Sequence, residues 1–270
     1  MVAHPAGQVF AGLNGADGRP AAEADRSAGA VFRLHRGLPQ IGPGSLRMAA
    51  TALANPLRHT PLQLLAGWLP AGLISTDSLA DTVRRPVRDR WVEHPNYWAV
   101  ACDYQSGRRT PFGRIDMPQV DVAAAVAASC AIPGFYRPVR IDRRRYVDGG
   151  VCSASNLDLV AGRGLDLVIC MNPLSGNARP AALHPLAWLP SLSRRANRRR
   201  LEHEQRKVRR FGTRVVIIEP TREDHDAMGL NWMSADRRGR VIETAERTVA
   251  EQLRAPELRA ALAGLPRGAP

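Results

Sequence analysis

Lysine and aromatic side chains are the scarcest features of this sequence: Lys207 is the single lysine among 38 basic residues, and Phe, Trp and Tyr make up 5% of 270 residues. Each scarcity excludes something. So few aromatics leave no surface on which bases would stack, and no RNP, zinc-finger or basic-zipper pattern accompanies the charge. A formal net charge of +13 would ordinarily favour nucleic acid or an anionic membrane surface. Arginine without lysine, beside abundant Ala, Gly and Pro, instead has the look of GC-rich coding. Nucleic acid is not the expected partner.

Cysteine is sparse as well. Cys102, Cys130, Cys152 and Cys170 lie far apart, with no C-x-x-C pair and no histidine at metal-ligand spacing. They read as reduced thiols, and no metal site is expected. Also missing is any uninterrupted apolar run near the roughly 20 residues that a spanning helix needs, and the N-terminus has no charged-then-apolar signal pattern. The expected location is the cytoplasm, in solution or peripheral to the inner face of the membrane.

What is present is a hydrophobic content of 44%, ample for the core of one large domain or two small ones. Residues 1–36 mix Gly, Ala, Pro and charges without a sustained period, so no element is assigned there. Apolar residues recur at helical spacing over Leu46 to Ala54 and Pro61 to Trp68, with "NPLRHTP" breaking them. A short helix follows Ser75, Thr76 and Asp77 and ends near Pro86. The run "NYWAVACDY" reads as a buried strand that turns at Ser106-Gly107. Asp121 is placed to cap a helix through Ala128, which Pro133-Gly134 terminates.

Further on, a strand runs to Val147 and a helical segment covers about Leu157 to Ala161. "LDLVICMNP" has the pattern of a fully buried parallel strand, and "TRVVIIEP" of another. Between them a linker from Pro180 to Ser193 leads into an arginine-rich helix. "RVIETAERTVAEQLR" closes the series as an amphipathic helix with Val241, Ala245, Val249 and Leu253 on one side. Strands alternating with helices predict an α/β fold with a central, mostly parallel sheet. The organisation expected is an irregular segment at 1–36, a main domain at 37–235 and a C-terminal helix and tail at 236–270.

The basic helix from Arg194 to Arg210 has three readings: a solvated face, a patch for anionic lipid headgroups, or a nucleic-acid contact. "RRYVDGGVCSASN" has two. Asp148, between a strand and the glycines Gly149 and Gly150, is either a turn aspartate bonded to its own backbone or a carboxylate presented to a reacting group.

The stretch "AASCAIPGFYRPVRIDRRRYVDGGVCSASN" resembles the patatin-like phospholipases, in which an A-S-x-A-[IV]-P-x-[FL] segment precedes a strand ending in D-G-[GA]. Here the first segment is Ala128, Ser129, Cys130, Ala131, Ile132, Pro133, Gly134 and Phe135, and the second is Asp148, Gly149 and Gly150. The likeness covers roughly residues 40 to 250. It implies a three-layer α/β/α sandwich, no cofactor, and serine acyl hydrolysis of a lipid or phospholipid ester by a Ser-Asp dyad without histidine. Carried over residue by residue, Asp148 is the general base, and Gly149 and Gly150 form its turn.

The nucleophile of that family sits on a G-x-S-x-G elbow, and "DRSAGA" is the stretch here that approaches it. Ser27 then stands as nucleophile, with the Ala28 N–H as oxyanion donor and Gly29 in the turn. Asp25 occupies the place of the first glycine, and "GRPAAEA" lacks the texture of a buried strand, so the segment is diverged or truncated, or Ser27 is a loop serine. Ser129 and Ser153 are expected as structural neighbours of the dyad. A relative that has lost catalysis and binds lipid or an anionic membrane surface through its arginine helix is the alternative.

Overall fold

The computed structural model describes residues 42–54, 61–87, 89–94, 96–176, 188–229 and 235–263. Ser27, Ala28 and Gly29 lie outside the described residues. Helices α1 (Leu46–Ala54) and α2 (Pro61–Trp68) occupy the spans that apolar spacing assigned to them. Ser45 accepts the Met48 N–H at 3.2 Å and so satisfies a donor in the first turn of α1. The two helices cross closely because a Cβ on Gly67 would lie 2.7 Å from the Ala49 nitrogen. Helix α3 (Asp77–Arg84) follows.

Four strands, β1 (Ala99–Asp103), β2 (Arg109–Phe112), β3 (Val139–Ile141) and β4 (Arg144–Asp148), form one sheet in the order β2-β1-β4-β3. Every neighbouring pair in it is antiparallel. Helix α4 (Val122–Ser129) lies between β2 and β3 in sequence, and Asp121 caps it by accepting the N–H groups of Ala123 and Ala124. Along β1 the side chains alternate as a pleat requires. Ala99 and Ala101, with Tyr146 of β4, pack against Ala125 and Ala128 of α4. Cys102 and Val147 point the other way, into a cluster with Met48 of α1 and Ala66 of α2. Helices therefore cover both faces of this sheet, which gives it an α/β/α layering.

A second sheet pairs β5 (Leu167–Met171) with β6 (Arg214–Ile218) in parallel. The long helix α5 (Trp188–Arg209) connects them and packs Leu201 and Val208 onto Val215. Three helices follow, α6 (Arg222–Met228), α7 (Arg238–Arg254) and α8 (Pro256–Leu262).

The expectation of a mostly parallel central sheet needs correction: the main sheet among the described residues is antiparallel. The reason is local. β1 and β2 are joined by a tight turn in which Asp103 Oδ1 accepts from Gln105 and Ser106 and Gly107 takes φ 69°. β3 and β4 are joined by two residues, with Asp142 at φ 53°. Such short connections return the chain antiparallel, whereas the helical crossover between β5 and β6 delivers parallel strands.

Burial of β5 also differs from expectation, because Ile169 and Met171 are 47% and 68% exposed. One face of that strand meets α5, while on the other Met171 lines a cavity with Met228, Val241 and Val249 and stays largely exposed. Helix α5 begins at Trp188, inside the segment read as a linker, with Pro190 in the first turn, where its missing N–H has no intrahelical acceptor to lose. Helix α6 was not anticipated, although Thr221 and Asp224 form a capping box at its start.

Candidate active site

Asp148 is the last residue of β4, a central strand of the antiparallel sheet, and it is half-buried. Its N–H donates to the Ala131 carbonyl at 3.0 Å, which joins the two sequence segments singled out above. That bond fixes where the helix-to-loop segment Ser129–Ala131 sits relative to the carboxylate. On its other side β4 pairs with β1, with Ala101 opposite Asp148.

The turn that follows is shaped by its glycines. A Cβ on Gly149 would come within 2.3 Å of the Val100 carbonyl oxygen, so β1 and the turn approach to a distance that no side chain allows. The Gly150 N–H donates to Asp148 Oδ1 at 2.6 Å. Gly149 to Val151 then form one turn of 3₁₀-helix, and Cys152 closes it by donating its N–H to the Gly149 carbonyl at 2.9 Å.

Burial pushes the Asp148 carboxyl above the usual carboxylate range, opposed by the Gly150 N–H. No described cation forms an ion pair with it. The electrostatic consequence reaches Cys130, whose thiol is pushed up by burial, lowered by Ser129 and raised again by the Asp148 charge. A carboxylate raised in this way is a stronger base than a solvated one, which suits proton abstraction from a hydroxyl.

Other hydroxyls in the region have structural partners. Ser129 Oγ donates to the Val126 carbonyl at 2.9 Å, and Ser153 Oγ accepts the Asn156 N–H at 3.1 Å. Of the described histidines, His94, His203 and His225, none hydrogen-bonds Asp148.

The loop after the glycines is held to the second sheet by two carboxylates that sequence reading did not single out. Glu204 of α5, buried, accepts from Ser155 Oγ, from the Leu157 N–H at 3.0 Å and from Arg200 Nε at 3.2 Å. Asp158 accepts from both terminal nitrogens of the Arg109 guanidinium and from Lys207 Nζ. Burial raises the Asp158 carboxyl, but Arg109 and Lys207 outweigh it and hold it at about 2. Asn156 takes a left-handed conformation with φ 51°, and its Nδ2 donates to the Ser153 carbonyl at 2.8 Å. The one signal of this clamp in the sequence is the placement of Glu204 four residues after Arg200, which does not reveal that the carboxylate faces inward.

Along α5 the charges divide. Arg198 pairs with Glu202 and Glu219, and Arg200 with Glu204. Arg195, Arg199, Arg206 and Arg210 are exposed and form no ion pair with a described carboxylate. No described helix is long and apolar enough to cross a membrane, and no cluster of three or more metal-ligating side chains occurs among the described residues.

Comparison with known proteins shows what the chain resembles. Uncharacterized NTE family proteins of Mycobacterium bovis and of two strains of Mycobacterium tuberculosis are each 33% identical to it over 114 residues, covering 41% of the chain. The matched part spans 30% of the length of those relatives. The family model described as patatin-like phospholipase matches residues 27–161, half of the chain, a span that opens at Ser27 and encloses the Ala131–Asp148 junction and the glycine turn. With half of its length matched in this way, the chain belongs to the patatin-like phospholipase family.

Proposed function

We propose that the chain is a lipid acyl hydrolase that cleaves carboxylic esters of lipids or phospholipids with Ser27 as nucleophile and Asp148 as general base. The observation that carries the reading is the half-buried Asp148, unpaired by any described cation and raised in pKa by burial, where the two segments of the family meet. In this mechanism the Ser27 hydroxyl attacks the ester carbonyl while Asp148 takes its proton. The N–H of Ala28 donates to the developing oxyanion, with Gly29 keeping the turn open. Asp148 returns the proton to the leaving alcohol, and water activated by the same carboxylate releases the acyl group from Ser27. No cofactor enters these steps.

The exposed row Arg195, Arg199, Arg206 and Arg210 supports a second component of the reading, docking on an anionic membrane surface from the cytoplasm. Should catalysis be absent, the same surface makes the chain a lipid-binding relative of the hydrolases.

The test is covalent labelling with a fluorophosphonate probe of wild type, Ser27→Ala and Asp148→Asn, each checked for folding by circular dichroism. Loss of labelling in both variants is the expected result. A folded wild type that does not label would overturn the hydrolase reading, and salt-sensitive binding to anionic vesicles would then support the lipid-binding one.

A further inference from the structure

Two of the cysteines that lie 50 residues apart in sequence meet in space. Cys102 Sγ and Cys152 Sγ share a hydrogen bond at 3.1 Å, one sulfur on the inner face of β1 and the other on the turn after Asp148. Both are buried in the cluster between the sheet and helices α1 and α2. We infer that Cys152 and Cys102 form a dithiol that a hydroperoxide oxidises to a disulfide, with Cys152 as the attacking sulfur and Cys102 as the resolving one.

Three observations support the assignment. The sulfurs need to approach by only about 1 Å to reach the length of a disulfide, near 2.05 Å. Cys152 borders a cavity of about 510 Å³ whose wall also holds Gln63, Arg109, Arg114 and Arg200, so a small oxidant has room to reach it. Cys102 lies deeper and does not line that cavity.

The electrostatics favour the same roles. The Cys102 hydrogen bond, opposed by burial and helped by Arg109, Gln63 and Arg200, lowers the Cys152 thiol below its ordinary value. Gln63 Nε2 is 3.3 Å from Cys152 Sγ and donates to it. Cys102 moves the other way, raised by its bond to Cys152, by burial and by the charge of Asp103. Of the two sulfurs, Cys152, beside the cavity, is therefore the more readily ionised.

The chemistry balances without further reactants. The Cys152 thiolate attacks the distal oxygen of the hydroperoxide; a sulfur–oxygen bond forms, the O–O bond breaks, and the oxide that leaves takes up a proton as the alcohol, or as water from hydrogen peroxide. Sulfur is oxidised by two electrons and the hydroperoxide is reduced by two. The Cys102 sulfur then attacks the Cys152 sulfenic acid; the sulfur–sulfur bond forms, the sulfur–oxygen bond breaks, and hydroxide leaves with the Cys102 proton as water. A dithiol reductant returns Cys102 and Cys152 to thiols and is itself oxidised to a disulfide.

The experiment is peptide mapping by mass spectrometry after brief exposure of the folded wild-type chain to hydrogen peroxide, without reductant. The expected product is the Cys102 peptide joined to the Cys152 peptide, while Cys130 and Cys170 still accept an alkylating reagent. In Cys102→Ala, dimedone should capture a sulfenic acid on Cys152; in Cys152→Ala, Cys102 should react at least tenfold more slowly. Oxidation of Cys130 or Cys170 ahead of the pair, dimedone on Cys102 rather than Cys152, or no cross-link in a folded wild type would each overturn the inference. None of these readouts depends on acyl hydrolysis, so the inference and the hydrolase reading fail separately.

Discussion

The antiparallel sheet and the parallel pair differ in how they are covered. In the first, Ala101, Cys102, Phe112 and Val147 have no solvent exposure, because helices pack on both faces. In the second, Ile169 and Met171 of β5 are largely exposed beside a cavity that Met171 shares with α6 and α7, and α5 directs a row of arginines into water. A close-packed frame on two sides holds a side chain in one geometry, and it withholds the water that would stabilise a charge. Asp148, the carboxylate proposed as general base, stands on the closed sheet. The arginines proposed to meet an anionic surface stand beside the second. Glu204 and Asp158 couple the two regions, so the position of the loop after Asp148 depends on both.

The largest expected effect tests the closed side. Asp148→Asn should lower the rate of probe labelling or ester hydrolysis by about 10²–10⁴-fold, the range for removal of a general base. Because Asp148 acts only when ionised and its carboxyl is raised, wild-type labelling should increase as pH rises through that raised value. Stability runs in the opposite direction. Below the unfolded value the group is protonated in both states; as pH rises through the folded value, the cost of an ionised buried carboxylate appears in full. Asp148→Asn removes that cost and keeps an oxygen for the Gly150 N–H, so it should melt higher than wild type near neutral pH. A variant that loses labelling and also melts lower would make Asp148 a structural turn residue.

The coupling between the regions is the next test. Glu204→Ala leaves the Leu157 N–H, the Ser155 hydroxyl and Arg200 without their shared acceptor. Arg200, 42% exposed, regains water, so the cost is that of leaving the buried Leu157 N–H without an acceptor, about 1–3 kcal/mol. Urea unfolding should show that loss, and Glu204→Gln, which keeps an acceptor, should lose much less. A cost below about 1 kcal/mol for the alanine variant would mean that the regions are not coupled through α5.

Asp158 should contribute on a similar scale and in a pH-dependent way. Its carboxyl is held at about 2 in the folded chain. Its contribution, on the order of 2 kcal/mol, is present above the unfolded carboxylate value of about 3.9 and is lost as pH falls toward the folded one. The stability difference between wild type and Asp158→Asn should therefore shrink as samples are acidified below about pH 4. A difference that stays constant would assign the effect to packing rather than to the ion pairs.

The same contrast explains what could be read from the residues alone. Helices α1 and α2 end where their apolar spacing ends, and Asp121 caps α4, because propensity and capping act within a few residues. The two segments that meet at Ala131 and Asp148 could be read through the resemblance to the patatin-like phospholipases, whose motifs are short local runs of residues. The partners of the strands could not. A period of two gives the faces of a strand and leaves its neighbours open, so the antiparallel order β2-β1-β4-β3 was missed. Cys102 and Cys152 looked unrelated for the same reason, since β1 and β4 bring them together. Glu204 reads as one more charge on a basic helix until Leu157 is placed against it.

The smallest expected effect is the sharpest test of the contrast itself. Val147 in β4 and Met171 in β5 are both apolar strand residues, and hydropathy alone ranks them as equals. Val147 is wholly buried and Met171 is 68% exposed. Val147→Ala opens a void between the sheet and helices α1 and α2 and should cost about 2 kcal/mol or more. Met171→Ala removes a side chain that has already kept most of its contact with water, so its cost should stay within about 0.5 kcal/mol. Paired urea titrations measure both. A cost for Met171→Ala approaching that of Val147→Ala would mean that its face of β5 is covered in solution. The parallel pair would then be as closed as the antiparallel sheet, and the division between a dry side that holds Asp148 and a wet side that carries the arginines would have to be redrawn around α5 alone.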